Sequence, residues 1–353
     1  VTPAGPVGLR LKTVANAAYR ALRIYGRNHS PRVWARGASY AARHLAGRAG
    51  PHTVTFHVTF RCQCRCVHCC SNVEDLMAVP EMSGEQAKDV ISQIARLGVP
   101  HMIFAGGEPL LREDLPELIA HAHQLGIVTR MSTNGLLLTR ERVRELKRAG
   151  LDVCGVSLDS PDAEVHDRLR GVPGTFDRAV RGLRYLREEG VFTKLLGCAS
   201  RENVSSGGVE RLIELGRELR VSTIYLLLPI MAGRWADAQH EVLTGSEMDY
   251  VRGLHDFTRI HMELAAPDNI CCLSSKGVLC VRAGGDVTAC PYVPFGMGNV
   301  NAEPLAAIWA RHAAALEVVT PGHCPLNVPA AREELRLHSE AVRAGGPGGA
   351  PDR

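Results

Sequence analysis

The sequence predicts a parallel α/β fold, on three observations. Between about residues 52 and 230, short β-rich apolar runs alternate with longer amphipathic stretches. Glycines close several of those stretches, at Gly98, Gly126, Gly150 and Gly190, where a left-handed residue ends a helix at little cost. The unusual residue clusters follow the strand-like runs, at the carboxyl ends that line active sites in parallel α/β folds. Six such units give a helix-covered parallel sheet, either doubly wound or a barrel short of eight strands.

The elements follow in order. Residues 1–50 carry nine Lys or Arg and no Asp or Glu. Their alanine-rich text reads as two short helices broken near Ser30 and Pro31. An all-positive helix face can lie on an anionic membrane surface, cover an acidic partner or cap the main domain. Nucleic acid is not an expected partner, because no recognition motif accompanies the charge. The strand candidates are VTFHVTF (54–60), VPHMIFAG (99–106), GIVTRMST (126–133), DVCGVSLD (152–159), GVFTKLLGCA (190–199) and VSTIYLLLP (221–229). Helix candidates lie between them near 83–97, 113–124, 139–149, 175–189 and 205–219, and EMDYVRGLHDFTRI (247–260) adds another. Then the character changes: residues 271–299 hold four cysteines, glycines and short extended runs, followed by a short helix near 304–318 and PGHC. The expected organisation is a basic helical extension (1–50), a core (51–260), a small metal-stabilised domain (261–330) and a helix end with a flexible tail (331–353).

At 353 residues with 45% apolar but only 5% aromatic content, alanine, leucine and valine must fill most of the core. No apolar run approaches the roughly 18 residues of a membrane span, and no secretory pattern is present, so a cytoplasmic protein is expected. In that compartment twelve cysteines read as metal or cluster ligands rather than disulfide staples.

Five of the twelve stand in RCQCRCVHCC, residues 61–70. Cys62, Cys66 and Cys69 have the spacing C-x3-C-x2-C. Thiolates suit iron, and a tight loop with three of them can hold three corners of a cubane and leave one iron open. A structural zinc site is the alternative, with Cys64, Cys70 or His68 as nominal fourth ligand.

TFRCQCRCVHCC resembles the signature of the radical S-adenosylmethionine (SAM) enzymes. AGGEP (105–109), STNG (132–135), SLDS (157–160) and HDRLRGVPGTFDRAVRGLRYLREEG (166–190) follow in the family's order. The last stretch, with PIMAGR (229–234), is similar to the branch carrying SPASM or Twitch auxiliary-cluster domains. The resemblance implies a partial (β/α)6 barrel with a small C-terminal Twitch-like cluster domain, beside the N-terminal helical extension. It also implies a 4Fe-4S cluster on Cys62, Cys66 and Cys69, with SAM on the open iron. Reduction would then give a 5′-deoxyadenosyl radical that takes hydrogen from substrate. Gly106 and Gly107 would admit the methionyl amine closely, with Glu108 and Pro109 beside them. Ser132, Asn134 and Ser157 are expected near the ribose or amino-acid moiety, Arg170 on the SAM carboxylate, and Leu195 or Leu196 against the adenine. Cys64 and Cys70 are expected to be dispensable for cluster binding.

The spacing of Cys272, Gly285 and Cys290, with Cys324 later, resembles the opening of a SPASM or Twitch domain. A full SPASM domain has a denser later run of cysteines, so at most one auxiliary cluster is implied. Cys272, Cys290 and Cys324 are its expected ligands, Cys280 is the candidate fourth, and Cys271 could exchange with Cys272. Zinc held by four cysteines is the alternative. Cys154, Cys198, Cys271 and Cys280 are candidate hydrogen donors or buried structural thiols. The expected activity is oxidation of a small molecule such as a sugar, aminocyclitol or nucleoside, served by a flavodoxin- or ferredoxin-type electron donor. Modification of a precursor peptide and radical epimerisation are the alternatives.

Overall fold

The computed structural model describes residues 30–47, 50–71, 76–256, 258–262, 277–315 and 324–344. The first basic helix, Cys271, Cys272 and the glycine-rich tail lie outside these. The chain forms α1 (Pro31–Leu45), β1 (Thr53–His57), α2 (Gly84–Arg96), β2 (His101–Ala105), α3 (Leu115–Gln124), β3 (Val128–Thr133), α4 (Arg140–Arg148), β4 (Val153–Ser157), α5 (Ala163–Arg170) and α6 (Thr175–Glu188). It continues through β5 (Phe192–Cys198), α7 (Arg201–Ser205), α8 (Gly208–Glu218), β6 (Thr223–Leu227), α9 (Gly245–Gly253) and β7 (Ile260–Met262). The remaining elements are β8 (Val278–Val281), β9 (Asp286–Thr288), β10 (Gly296–Asn299), α10 (Leu305–Ala315) and α11 (Pro329–Arg343).

One mixed sheet runs in the order β10-β9-β8-β1-β2-β3-β4-β5-β6-β7. Strands β1 to β7 are parallel and in sequence order. A doubly wound sheet reverses its strand order at a switch point, and this one does not. With right-handed crossovers, successive helices fall on one face, where α2 packs on α3, α3 on α4 and α4 on α6. Strand burial divides the same way. Val54, Phe56, Met102, Phe104, Met131, Val156 and Leu195 are buried in the core under the helices. Ile103, Ala105, Arg130, Ser132, Ser157, Lys194, Leu196 and Tyr225 are half-buried on the opposite face, as the two-residue strand period requires.

Local chemistry sets the element ends. Ser83 and Gln86 form a reciprocal cap at the start of α2. The helix expected over 247–260 stops at Gly253, because Asp256 takes the amides of Thr258, Arg259 and Ile260 at 2.9, 2.7 and 2.7 Å and turns the chain into β7. Such a local carboxylate-to-backbone turn competes with helix.

The basic charge of α1 has a structural use. Arg36 donates to Ala95 O at 2.8 Å and to Leu125 O at 2.7 Å, and Arg43 to Leu97 O at 3.1 Å and Gly98 O at 2.7 Å. Arg32 reaches Gln124 O at 2.9 Å. These are the carbonyl ends of α2 and α3, where the helix dipole favours cations. No helix among the described residues is long and apolar enough to cross a membrane.

The sheet continues past the core. Strand β8 pairs in parallel with β1, and β9 and β10 extend it antiparallel. The region expected as a small C-terminal domain thus shares the core's sheet.

Candidate active site

The cysteine loop leaves β1 and is gripped from two sides. Arg65 N donates to Arg170 O and Val67 N to Leu169 O, each at 3.0 Å, so the last turn of α5 pairs with the loop backbone. Gly171 follows with φ +69°, and a Cβ there would meet Arg65 O at 2.8 Å. Opposite, Arg234 donates from Nη1 to Cys66 O at 2.8 Å and from its amide to Cys69 O at 3.0 Å. The Trp235 ring lies 5.5 Å from that of His68. Cys62, Cys66 and Cys69 are half-buried. Cys64 is buried between Cys62 and Cys66, and donating its S–H toward their sulfurs holds it strongly in the thiol form. The Cys66 thiol is lowered to about 5, first by the Cys64 bond and then by Arg170. Cys70 is half-buried against the core.

Gly106 and Gly107 lie against this loop. A Cβ on Gly106 would meet Thr59 O at 2.4 Å, and one on Gly107 would meet Arg61 O at 2.3 Å. Gly107 N donates to Thr59 O at 2.9 Å and Glu108 N to Arg61 O at 2.8 Å. The close approach that demands glycine is therefore made by the chain's own backbone. Glu108 is fully buried, and its carboxylate accepts from Leu110 N at 3.1 Å, Thr133 Oγ1 at 2.7 Å and Asn134 N at 2.8 Å. Burial pushes it up to about 7 against the pull of those bonds. Pro109 is buried at the start of a single 3-10 turn, Pro109–Leu111.

Register aligns the rest. Ser132, Gly155, Lys194 and Thr223 form one row across β3 to β6. Ser157, Leu196, Tyr225 and His261 form the next. Cys280, Thr55, Ile103, Arg130, Val153 and Phe192 form the row on the other side. Residues two apart on a strand share a face, so all three rows line the half-buried side. Leu196 is on this side, 2.7 Å from where a Gly155 Cβ would sit, whereas Leu195 packs into the helix-covered core. Asn134 is buried, with Oδ1 taken by Leu136 N at 3.0 Å and Gln63 Nε2 at 3.5 Å. Its Nδ2 and Gln63 Oε1 are buried with no partner among the described residues.

The Radical SAM superfamily model matches residues 56–204, and that of an iron-sulfur cluster-binding domain, SPASM, matches residues 271–320. The AdoMet-dependent heme synthase of Nitratidesulfovibrio vulgaris is 30% identical over 289 residues, covering 73% of this chain and 78% of that protein. The Fe-coproporphyrin III synthase of Methanosarcina barkeri is 32% identical over 294 residues, covering 72% and 73%. The chain belongs to the radical SAM superfamily. Streptococcus suis SuiB, solved with its precursor peptide SuiA, matches 76% of this radical SAM chain and 68% of its own with a TM-score of 0.60 and 18% identity. At that identity the likeness is one of fold.

A radical SAM enzyme carries SAM and a 4Fe-4S cluster, and a SPASM domain implies an auxiliary cluster. The residues present fit the first pair. Three cysteine thiols, Cys62, Cys66 and Cys69, leave β1 on one gripped loop, and the orphaned Asn134 and Gln63 atoms stand beside it, where a polar ligand would satisfy them. Among the described residues no three His, Cys, Asp or Glu side chains gather round one point; a cubane does not need that, since each thiolate binds a different iron.

At the auxiliary region Cys280 is buried in β8, its thiol pushed up to about 12 by burial. Cys290 is buried just after β9, and Cys324 is half-buried before the 3-10 turn Pro325–Asn327. Cys272, their expected companion, is outside the described residues. Of the candidate hydrogen donors, Cys154 pairs in register with Met131 on the core side. Cys198 is on the site side, two residues from Leu196.

Sequence reasoning missed Asp159, although it quoted SLDS. Asp159 is 1% exposed, ion-paired to Arg170 Nε at 2.7 Å, with His68 Nε2 3.4 Å from the same oxygen. Burial alone would raise it, but Arg170, His68 and His166 hold it below the usual carboxylate range. A buried carboxylate stays charged only where a cation compensates it, and Arg170 in the His166–Arg170 stretch was the available signal. Lys194, whose Nζ lies 5.7 Å from the Tyr225 ring centroid, was hidden inside a strand pattern.

Proposed function

We propose that this chain is a biosynthetic radical SAM oxidoreductase acting on a small molecule of the iron-porphyrin class. The observation that carries the reading is the match, over about three quarters of both chains, to proteins named for making heme and Fe-coproporphyrin III. It replaces the sugar, aminocyclitol or nucleoside expected from sequence, and the peptide alternative has only fold-level likeness behind it. Cys62, Cys66 and Cys69 would hold the radical-generating cluster, with Gly106, Gly107, Glu108 and Pro109 shaping the loop beside SAM. Ser132, Asn134, Ser157 and Leu196 would line the nucleoside. When bound, the cluster and SAM supply a 5′-deoxyadenosyl radical that takes a hydrogen atom from substrate. The sheet's half-buried face, a partial barrel in this reading, would orient the substrate and keep water from it. Cys290, Cys324 and the Cys271–Cys272 pair, with Cys280 as further candidate, would hold an auxiliary cluster to accept the substrate's electron. A flavodoxin- or ferredoxin-type protein would supply the first electron.

Anaerobically reconstituted protein with SAM and dithionite tests the reading. Fe-coproporphyrin III or a related porphyrin should raise 5′-deoxyadenosine formation above the substrate-free rate and itself change mass. C62A, C66A and C69A should lose SAM cleavage, while C64A and C70A keep it. Turnover of a peptide with none of any porphyrin would overturn the substrate assignment.

A further inference from the structure

Arg170 was expected on the SAM carboxylate, yet its guanidinium is already engaged by protein groups. Nη1 lies 3.6 Å from Cys66 Sγ and Nε lies 2.7 Å from Asp159 Oδ2. The Asp159 side chain is buried at 2% exposure and that of Arg170 is nearly so at 11%. The positions are fixed by backbone, since Arg170 O takes Arg65 N, and Asp159 N donates to His166 Nδ1 at 3.0 Å. His68, two residues after Cys66, meets the same Asp159 oxygen at 3.4 Å. One cation thus bridges a buried carboxylate and a thiol at a ligand position.

We propose that Arg170 sets the reduction potential of the cluster through its N–H contact to the Cys66 thiolate, and that Asp159 governs how much of the positive charge the cluster feels. The inference rests on Cys66 being a cluster ligand. Reduction adds one electron to the cluster, drawn from a low-potential one-electron donor, and makes or breaks no protein bond. A hydrogen-bond donor and a positive charge at a ligand sulfur stabilise the more negative, reduced form and raise the potential. Low-dielectric surroundings keep that effect from being screened away. The Asp159 carboxylate opposes it by neutralising the guanidinium. Arg170 and Asp159 are positioning residues that should push the potential in opposite directions.

The experiment is an EPR-monitored redox titration of SAM-free holoprotein with dithionite. It follows the signal that changes shape when SAM is added to the wild type, with iron per chain measured for every variant. R170Q should lower the potential by at least a tenfold change in the reduced-to-oxidised ratio at fixed potential, about 59 mV for one electron. D159N, which leaves the guanidinium uncompensated, should raise it. R170K should fall between wild type and R170Q, and if R170Q loads no cluster the opposite signs of R170K and D159N decide the matter. Variants that weaken SAM binding but leave the SAM-free potential at the wild-type value would overturn the proposal, as would shifts of the same sign in R170K and D159N. C66A separates the two failures. If it keeps the SAM-responsive signal, the ligand reading fails; if it loses the signal while the other variants do not shift, this proposal alone fails.

Discussion

Glu108 ties the loop after β2 to the loop after β3, with three donors on one buried carboxylate. Removing its charge and removing its acceptors are different perturbations. Its pKa is raised from 4.5 to about 7, so the folded state holds a proton more tightly than the unfolded state. The stabilising contribution is complete below 4.5 and is lost as pH rises through about 7, on the order of 3 kcal/mol in all. E108Q cannot ionise and escapes that loss, but its amide NH2 or carbonyl must serve three donors, and one N–H then faces another. At pH 5 E108Q should be less stable than wild type by about 1–3 kcal/mol, and at pH 8 the gap should narrow or reverse. Urea midpoints of both proteins at the two pH values check this, and a gap that widens with pH would contradict it. Gly106 and Gly107 belong to the same contact, since any side chain there would push Thr59 and Arg61, and with them the cysteine loop, out of place.

Helix α1 binds the core through charge on carbonyls. Arg36 and Arg43 each bond carbonyls at or just past the C-terminal ends of α2 and α3, and such charge-assisted bonds are the stronger kind. A combined R36A and R43A variant should lower stability by about 1–3 kcal/mol, visible as a lower thermal midpoint with the core cluster content unchanged. A midpoint equal to wild type would mean α1 is a solvated appendage. This element also illustrates what could be read from sequence. Its basic face and the break at Pro31 were plain, but the carbonyls that the charges seek belong to helices about 60 to 90 residues away. The six core strands were legible because each is a short apolar run, and β2, β3, β4 and β5 each follow a helix-ending glycine, at Gly98, Gly126, Gly150 and Gly190. The strands β7 and β8, of three and four residues, were not, because so short a run carries no period and its pairing is decided by distant partners. At the site, the cysteine spacing and the GGEP glycines stood out as residue types. Asp159, Lys194 and Arg130 did not, since an acid or a cation inside a strand pattern acquires meaning only when register and burial are known, and Gln63 stood among cysteines that drew the eye first.

At the scale of the whole molecule, the core and the C-terminal region share one sheet. Strand β8 lies along β1 from Thr53 to Phe56, and Gly277 O accepts from His52 N at 2.7 Å. Two further ties run elsewhere: Leu305 N donates to Gln93 Oε1 at 2.8 Å on α2, and Asn327 bonds Met231 N at 2.8 Å and Pro229 O at 3.1 Å. Those last two positions precede Arg234, which grips one side of the cysteine loop, so the C-terminal region supports both that side and the strand from which the loop leaves. If that region were an independent domain, a chain ending at Met262 would fold alone. It should not, because every residue of β1 from Thr53 to His57 is buried, and removing β8 turns that buried strand into an exposed, unpaired edge. The truncated protein should be insoluble or aggregated and should fail to load the core cluster, although all three of its cysteines remain. Recovery of a soluble monomer with a wild-type thermal midpoint and a SAM-responsive cluster signal would show that β1 does not depend on β8.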